Sequence, residues 1–225
     1  MSMLSNLDLI RRVPLFAMLT ADQATLLADA VTKRRFRRGE RIVEQDEKSD
    51  SLFIILAGRV RVLITDGRSR EVILASLNPG AFIGEMSLID DAPHSATVEA
   101  EIQTDVLVLG RAEFTRCLSH NLAMAYPLLN SLVHRLRKAD EQIGSLALMG
   151  VYDRVAKVLI GCAAADAESQ LVIREKISRQ DIAKMVGASR EMVSRVMRDL
   201  QDHGFIEIRD DGAMLLNERR ALPRS

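Results

Sequence analysis

The chain has 225 residues, 48% of them hydrophobic and 28% charged, with 31 Lys+Arg balanced by 31 Asp+Glu. That is material for one large or two modest domains with buried cores. The cancelled charge excludes a polyanion-binding protein that works by net charge alone, so any nucleic-acid site has to come from local arrangement.

No apolar run reaches the ~18 residues of a membrane span, and the first residues lack a secretion-signal pattern. Cys117 and Cys162 lie far apart with no metal-ligand spacing around them. The expectation is a cytoplasmic protein with reduced thiols and no membrane partner. In chain order, residues 4–12 and 21–32 read as short helices around a turn at Pro14. Leu26, Leu27, Ala30 and Val31 form the apolar stripe of the second. From Phe36 the texture changes to short β-branched runs at 42–43, 52–56, 60–64, 72–74 and 106–109. Turn signals at Gly39, Gly58, Asp66-Gly67, Asn78-Pro79-Gly80 and Gly84 separate them. This pattern predicts a β-barrel or double-sheet jelly roll, and residues 1–119 form the first domain.

A long helix follows, from about 121 to 149. Leu122, Leu129, Leu136 and Ile143 take one heptad position, and Ala125, Leu132, Ala139 and Leu146 the other. A 3.5-residue repeat over four heptads predicts pairing with the same helix of a second subunit; the alternative is one helix packed on its own barrel. Pro127 either kinks this helix or starts it after a short turn. Gly150 marks a hinge, so 120–150 reads as dimerisation helix and hinge, and 151–225 as a last domain. There, 152–164 reads as a helix, 166–170 as a polar loop, and 205–208 with 213–216 as a β-hairpin wing around Asp210-Asp211-Gly212.

Between loop and wing, residues 177–196 read as a helix-turn-helix. Ser178 caps the first helix, with Asp181 among its first amides. Ile182, Met185 and Val186 form its apolar face, and Gly187 takes the left-handed conformation that a helix end needs. Ser189 caps the second helix. Its Val193, Val196, Met197 and Leu200 point inward, which leaves Arg190, Glu191, Ser194, Arg195 and Arg198 outside. Arg can bond O6 and N7 of guanine, and Glu can accept from N4 of cytosine, so this face suits a major groove. The alternative is a solvated charged face on an ordinary helix pair. Residues 170–225 hold eleven Lys/Arg against nine Asp/Glu, only a weak positive bias.

A barrel, a long helix and a winged helix in this order resemble the cyclic AMP receptor/FNR family of bacterial transcription regulators, from about residue 15 to 216. Three stretches carry the resemblance. Phe36-Arg37-Arg38-Gly39-Glu40 with residues 52–62 is similar to the family's early barrel strands. Gly84-Glu85-Met86-Ser87-Leu88 with Pro93-His94-Ser95-Ala96-Thr97-Val98 is similar to its phosphate-binding cassette. Ser189-Arg190-Glu191-Met192-Val193-Ser194-Arg195 matches its recognition helix. The implied fold is α+β: an N-terminal cyclic-nucleotide-binding-type barrel, a dimerisation helix and a C-terminal winged helix-turn-helix. The implied partners are double-stranded DNA, RNA polymerase at the 166–170 loop, and a second copy of the chain. By the same resemblance, Arg190, Glu191 and Arg195 read a half-site related to TGTGA, with Ser189 and Ser194 on the same surface. Ser178, Arg179 and Gln180 match positions that touch phosphate, which set register without reading sequence.

The resemblance also implies an effector in the cassette. Glu85 stands where the family's carboxylate bonds a ribose hydroxyl, and Ser95 where a serine helps hold phosphate. Gly84, Met86 and Ser87 complete that loop. His94 replaces the arginine that neutralises the phosphate. A neutral imidazole offers one donor in place of a bidentate cation, and protonation restores part of the attraction. His94 as a plain polar loop residue is an equal alternative. The pair that contacts adenine aligns with Ala139 and Asp140. These departures disfavour cyclic AMP and favour cyclic di-GMP, whose phosphates suit Arg61, Arg68, Arg70, Arg135 or Arg137; cyclic AMP and cyclic GMP stand behind it. No haem motif surrounds any of the four histidines, and an iron–sulfur cluster needs cysteines that the N-terminal region lacks. No nucleophile–base set, carboxylate pair or metal-ligand cluster can be named, so neither an enzyme nor a metal is expected. The other function class left open is a cyclic-nucleotide regulatory module that does not act through DNA.

Overall fold

The computed structural model describes residues 5–120, 122–166, 168–209 and 211–217. They fall into two compact units, Met1–Leu136 and Arg137–Ser225. Leu4 of the first expected helix, the Leu122 side chain of the heptad seam and Asp210 of the wing turn lie outside the described residues.

In the first unit, capping boxes open α1 (Asn6–Ile10) and α2 (Ala21–Ala30). The Ser5 hydroxyl accepts the Asp8 amide at 3.1 Å while Asp8 accepts the Ser5 amide, and Thr20 and Gln23 repeat the exchange. A single 3-10 turn, Pro14–Phe16, lies between these helices. The strands are β1 (Thr32–Phe36), β2 (Arg41–Val43), β3 (Ser51–Ala57), β4 (Val60–Thr65), β5 (Glu71–Leu77) and β6 (Phe82–Ile83), then β7 (Thr97–Ala100) and β8 (Thr104–Gly110). Helix α3 (Glu85–Asp90) interrupts them; α4 (Arg111–His120) and α5 (Leu122–Leu148) follow.

The strands pair as two antiparallel four-stranded sheets, ordered β1-β8-β3-β6 and β2-β7-β4-β5. Phe36, Phe53 and Ile55 from one sheet and Val60 and Val98 from the other share a single core, which makes the expected double-sheet barrel. Strand β3 explains its own uninterrupted apolar sequence. Phe53 and Ile55 face the barrel interior, while Leu52 and Ile54 face a second core with Ile10, Leu27, Phe114 and Met124 from the helices. A strand buried on both faces has no polar side to alternate with. Each such side chain contributes roughly 1.5–3 kcal/mol by burial.

Two expectations for this region change. Residues 32–36 are strand β1, paired with β8 from Thr32↔Val108 to Phe36↔Thr104, so α2 ends at Ala30. The neighbouring Val31-Thr32 is β-branched and accepts extended backbone readily. Leu26 is 64% exposed, so the buried stripe of α2 rests on Ala24 and Leu27.

Helix α5 contains Pro127 within its length, and its first turns bury Met124 and Leu128 against the barrel-side core. The division between the compact units falls inside this helix, after Leu136. In the second unit come α6 (Val151–Cys162), β9 (Ala164–Ala165), β10 (Leu171–Ile173), α7 (Arg179–Val186), α8 (Arg190–Asp202), β11 (Ile206–Ile208) and β12 (Met214–Leu216). The wing hairpin forms where expected, but as half of a four-stranded sheet, β11-β12-β10-β9. Helix α6 stops at Cys162, and Ala164 is already in β9. Val155, Leu159, Ile182, Val193, Leu200 and Phe205 are the centre of this unit's core.

Candidate nucleic-acid interface and ligand cavity

The second unit presents the helix-turn-helix as a rigid pair. Ser178 Oγ accepts the Asp181 amide at 3.0 Å, and Ser189 Oγ accepts the Met192 amide at 3.2 Å, so both helices start on a side-chain cap. Gly187 ends α7 at φ 63°, ψ 45°, the left-handed region. Ile182 and Val186 of α7 and Val193, Val196, Met197 and Leu200 of α8 are buried, while Met185 is half-buried. Packing of one face fixes what the other presents. Arg190, Glu191, Arg195 and Arg198 are exposed, and Ser194 is half-buried between them. Ser178, Arg179, Gln180 and Ser189 are exposed at the two helix starts. The Glu191 backbone amide and the Ser189 hydroxyl hold the Glu191 carboxyl below its ordinary value, helped by Arg190 and Arg195. It is an anionic acceptor at neutral pH, as a contact to an amino donor requires.

Sequence reasoning missed one support of this pair. Arg154 on α6 donates through Nη1 to the Val186 carbonyl at 2.7 Å, which satisfies an end carbonyl of α7. A lone arginine on an amphipathic helix carries no signal for such a role.

The first unit builds the cassette. Gly84 opens α3 at φ 93°, and a Cβ there would sit 2.5 Å from the Ser51 carbonyl oxygen, so only glycine fits. Glu85 follows, 1% exposed. Its Oε1 accepts from Arg135 Nη1 at 2.6 Å, and the same guanidinium lies 5.4 Å from the centre of the Phe82 ring. Glu85 Oε2 is buried with no hydrogen-bond partner among the described residues. Burial pushes the Glu85 carboxyl above its ordinary value, against the pull of Arg135. Such an oxygen is costly unless something donates to it.

His94 is enclosed by hydroxyls. It is 6% exposed, with Nε2 2.8 Å from Ser49 Oγ and Nδ1 3.1 Å from Ser87 Oγ. Both ring nitrogens therefore have serine partners, and burial lowers its pKa despite Glu47 nearby. Ser95 and Met86 are exposed at the rim. Gly84, Glu85, Met86, Ser87, His94 and Ser95 all line one cavity of about 70 Å³, with Arg135 from α5. The α5 side chain in that lining, Arg135, lies one helical turn before Ala139. Ala139 and Asp140 belong to the second compact unit. Of the other arginines expected at a phosphate, Arg61 bonds Glu99 at 2.7 Å and Arg70 bonds Asp66. Arg68 and Arg137 are exposed. No group of three or more potential metal ligands occurs among the described residues.

Residues 33–121 match the family described as "Cyclic nucleotide-binding domain", and residues 153–224 match "Crp-like helix-turn-helix domain". The chain is 32% identical over 193 residues to the cAMP-activated global transcriptional regulator Vfr of Pseudomonas aeruginosa, covering 83% of this chain and 90% of Vfr. It is 34% identical over 168 residues to CRP of Salmonella typhimurium, with 73% and 80% covered. The structure of CLP from Xanthomonas campestris superposes with a TM-score of 0.74 over 88% of this chain and 100% of CLP. At 23% identity that likeness speaks for the fold alone. With barrel, cassette and capped helix-turn-helix all in place, the chain belongs to the cyclic AMP receptor/FNR family of transcription regulators.

Proposed function

We propose that this regulator is a cytoplasmic homodimer that binds a TGTGA-like palindrome under control of a cyclic nucleotide held at Glu85. The observation that carries the DNA reading is the outer face of α8, where Arg190, Glu191 and Arg195 stand exposed over a fully buried inner face. Arg190 and Arg195 take guanine, Glu191 takes cytosine N4, and Ser178, Arg179 and Gln180 hold phosphates. In a two-fold dimer the two α8 helices enter successive major grooves ~34 Å apart. The seam of α5 supports a second copy: Leu129, Leu136, Ile143 and Leu146 are each more than half exposed in the single chain. Gly150, at the start of α6, is the pivot we assign to the domain 151–225, and the loop 166–170 is the surface we assign to RNA polymerase.

For the effector, Glu85 Oε2 supports a ligand that donates a hydroxyl or N–H. Ordinary ligand sites occupy roughly 300–1,000 Å³, so entry has to enlarge the cavity, and release of Glu85 by Arg135 is the shortest way. That links occupancy to α5. A cyclic mononucleotide is the first reading, since Vfr and CRP are cAMP-activated. Cyclic di-GMP is the second, favoured by His94: locked between two serines, it leaves the cassette without the phosphate cation.

Fluorescence anisotropy with palindromic DNA tests the DNA reading. Arg190→Ala is expected to weaken specific binding by ~1–3 kcal/mol and to relax the guanine preference. An unchanged guanine preference overturns it. Calorimetry with cyclic AMP, cyclic GMP and cyclic di-GMP tests the effector, with Glu85→Gln expected to lose at least tenfold in affinity for whichever binds. If none binds, the effector reading falls and the DNA reading stands.

A further inference from the structure

One cleft of the first unit lies apart from the cassette. It has a volume of about 780 Å³ and shares no lining residue with the cavity at Glu85. That size lies within the roughly 300–1,000 Å³ range of small-molecule sites. Its floor is apolar, from Leu9 and Val13 of the N-terminal segment, Leu56 of β3 and Pro79. One wall is held to the sheet, because the Gly80 amide donates to the Ile55 carbonyl at 2.8 Å and the Ile55 amide to the Ala81 carbonyl at 2.9 Å.

The rim is cationic: Arg12, Lys33, Arg34 and Arg35 line the cleft with one carboxylate, Asp105. Three of the four come from consecutive positions of β1. That strand is the edge of its sheet. Arg35 is engaged by Asp105 through two hydrogen bonds of 2.6 and 2.9 Å, and Arg34 lies 5.1 Å from the centre of the Phe36 ring. One carboxylate thus faces four cations on an apolar floor. Asp8 also acts on Arg12, so the lining attracts an anion by its excess of cations over carboxylates, not by unpaired charge. A hydrocarbon body gains by covering the floor.

We propose that this cleft is a second ligand site for a small amphipathic anion, whose carboxylate or phosphate meets Arg12 and Arg34 and whose apolar body lies on Leu9, Val13, Leu56 and Pro79. The site is independent of the cassette and of the DNA-reading face. Its apolar floor and mainly cationic rim set the selectivity: charge alone binds weakly, and so does a neutral chain.

The test is calorimetric titration of the full chain with decanoate, decyl phosphate, decanol and acetate, each below any micelle concentration. Decanoate or decyl phosphate is expected to bind saturably at one site per chain, and the tighter of the two identifies the headgroup. Decanol and acetate are expected to bind at least tenfold more weakly. Arg12→Glu with Arg34→Glu is expected to cost at least tenfold. Ala57→Phe, which fills the cleft from an exposed position, is expected to abolish binding. Thermal unfolding confirms that both variants are folded. Saturable binding that survives both variants, equal binding of decanol, or no binding of either amphipathic anion overturns the proposal.

Discussion

Burial moves the Glu85 pKa up and the His94 pKa down, each toward its neutral form, and each residue has a measurable consequence. Glu85 keeps one oxygen on Arg135 and leaves the other unanswered, an arrangement that stores affinity for a donor. His94 is satisfied as a neutral ring between Ser49 and Ser87, with burial lowering its pKa from the ordinary 6.5. A histidine whose folded-state pKa is depressed contributes stability that is complete above 6.5 and is lost as pH falls through the lowered value. Urea unfolding between pH 5 and 8 is therefore expected to show stability falling on the acid side, and His94→Gln is expected to flatten that slope. An identical slope in the variant removes His94 as its source. The identities of these residues were legible in the sequence as cassette positions. Their partners were not, because Ser49 is 45 residues from His94 and Arg135 is 50 from Glu85. The fold alone brings them together.

At the scale of elements, caps and buried faces decide which segments hold. Ser189→Ala removes the acceptor for the Met192 amide and is expected to cost about 0.5–2 kcal/mol in chemical denaturation. Loss of DNA affinity beyond that, measured on the folded variant, places Ser189 in the interface as well. Ile54→Ala empties a site with no solvent exposure and is expected to cost ~2–5 kcal/mol. A cost below 1 kcal/mol contradicts the two-sided burial of β3. Elements with strong periodicity or sharp punctuation were readable: both helices of the helix-turn-helix, the wing, the long helix and the central strands. Short ones were not. Strands β9 and β10 span two and three residues, too few for any alternation to show. Strand β1 reads Thr-Lys-Arg-Arg-Phe with four exposed positions, and only pairing with β8 makes it a strand.

At the scale of the whole molecule, the outstanding surface is the α5 seam. Leu136→Glu with Ile143→Glu places charges at the same heptad position of two successive heptads and is expected to shift the proposed dimer to monomer in sedimentation, with loss of palindrome binding but not of the single-chain fold. A dimer that persists with full affinity rules out this seam. The same molecule is expected to bind DNA with log K falling linearly in log salt, since the phosphate contacts release counterions. What the sequence by itself determined was the order of the parts, the apolar spacing of α5 and α8, and the arginine and glutamate left on the outer face of α8. Those follow from periodicity and local caps, which act over a turn or two of chain. Only the tertiary structure decided that Ser49 and Ser87 hold His94, that Arg135 meets Glu85, and that a cationic cleft opens beside the barrel. Those are contacts between residues distant in sequence, set by sheet pairing and core packing, and no local pattern encodes them.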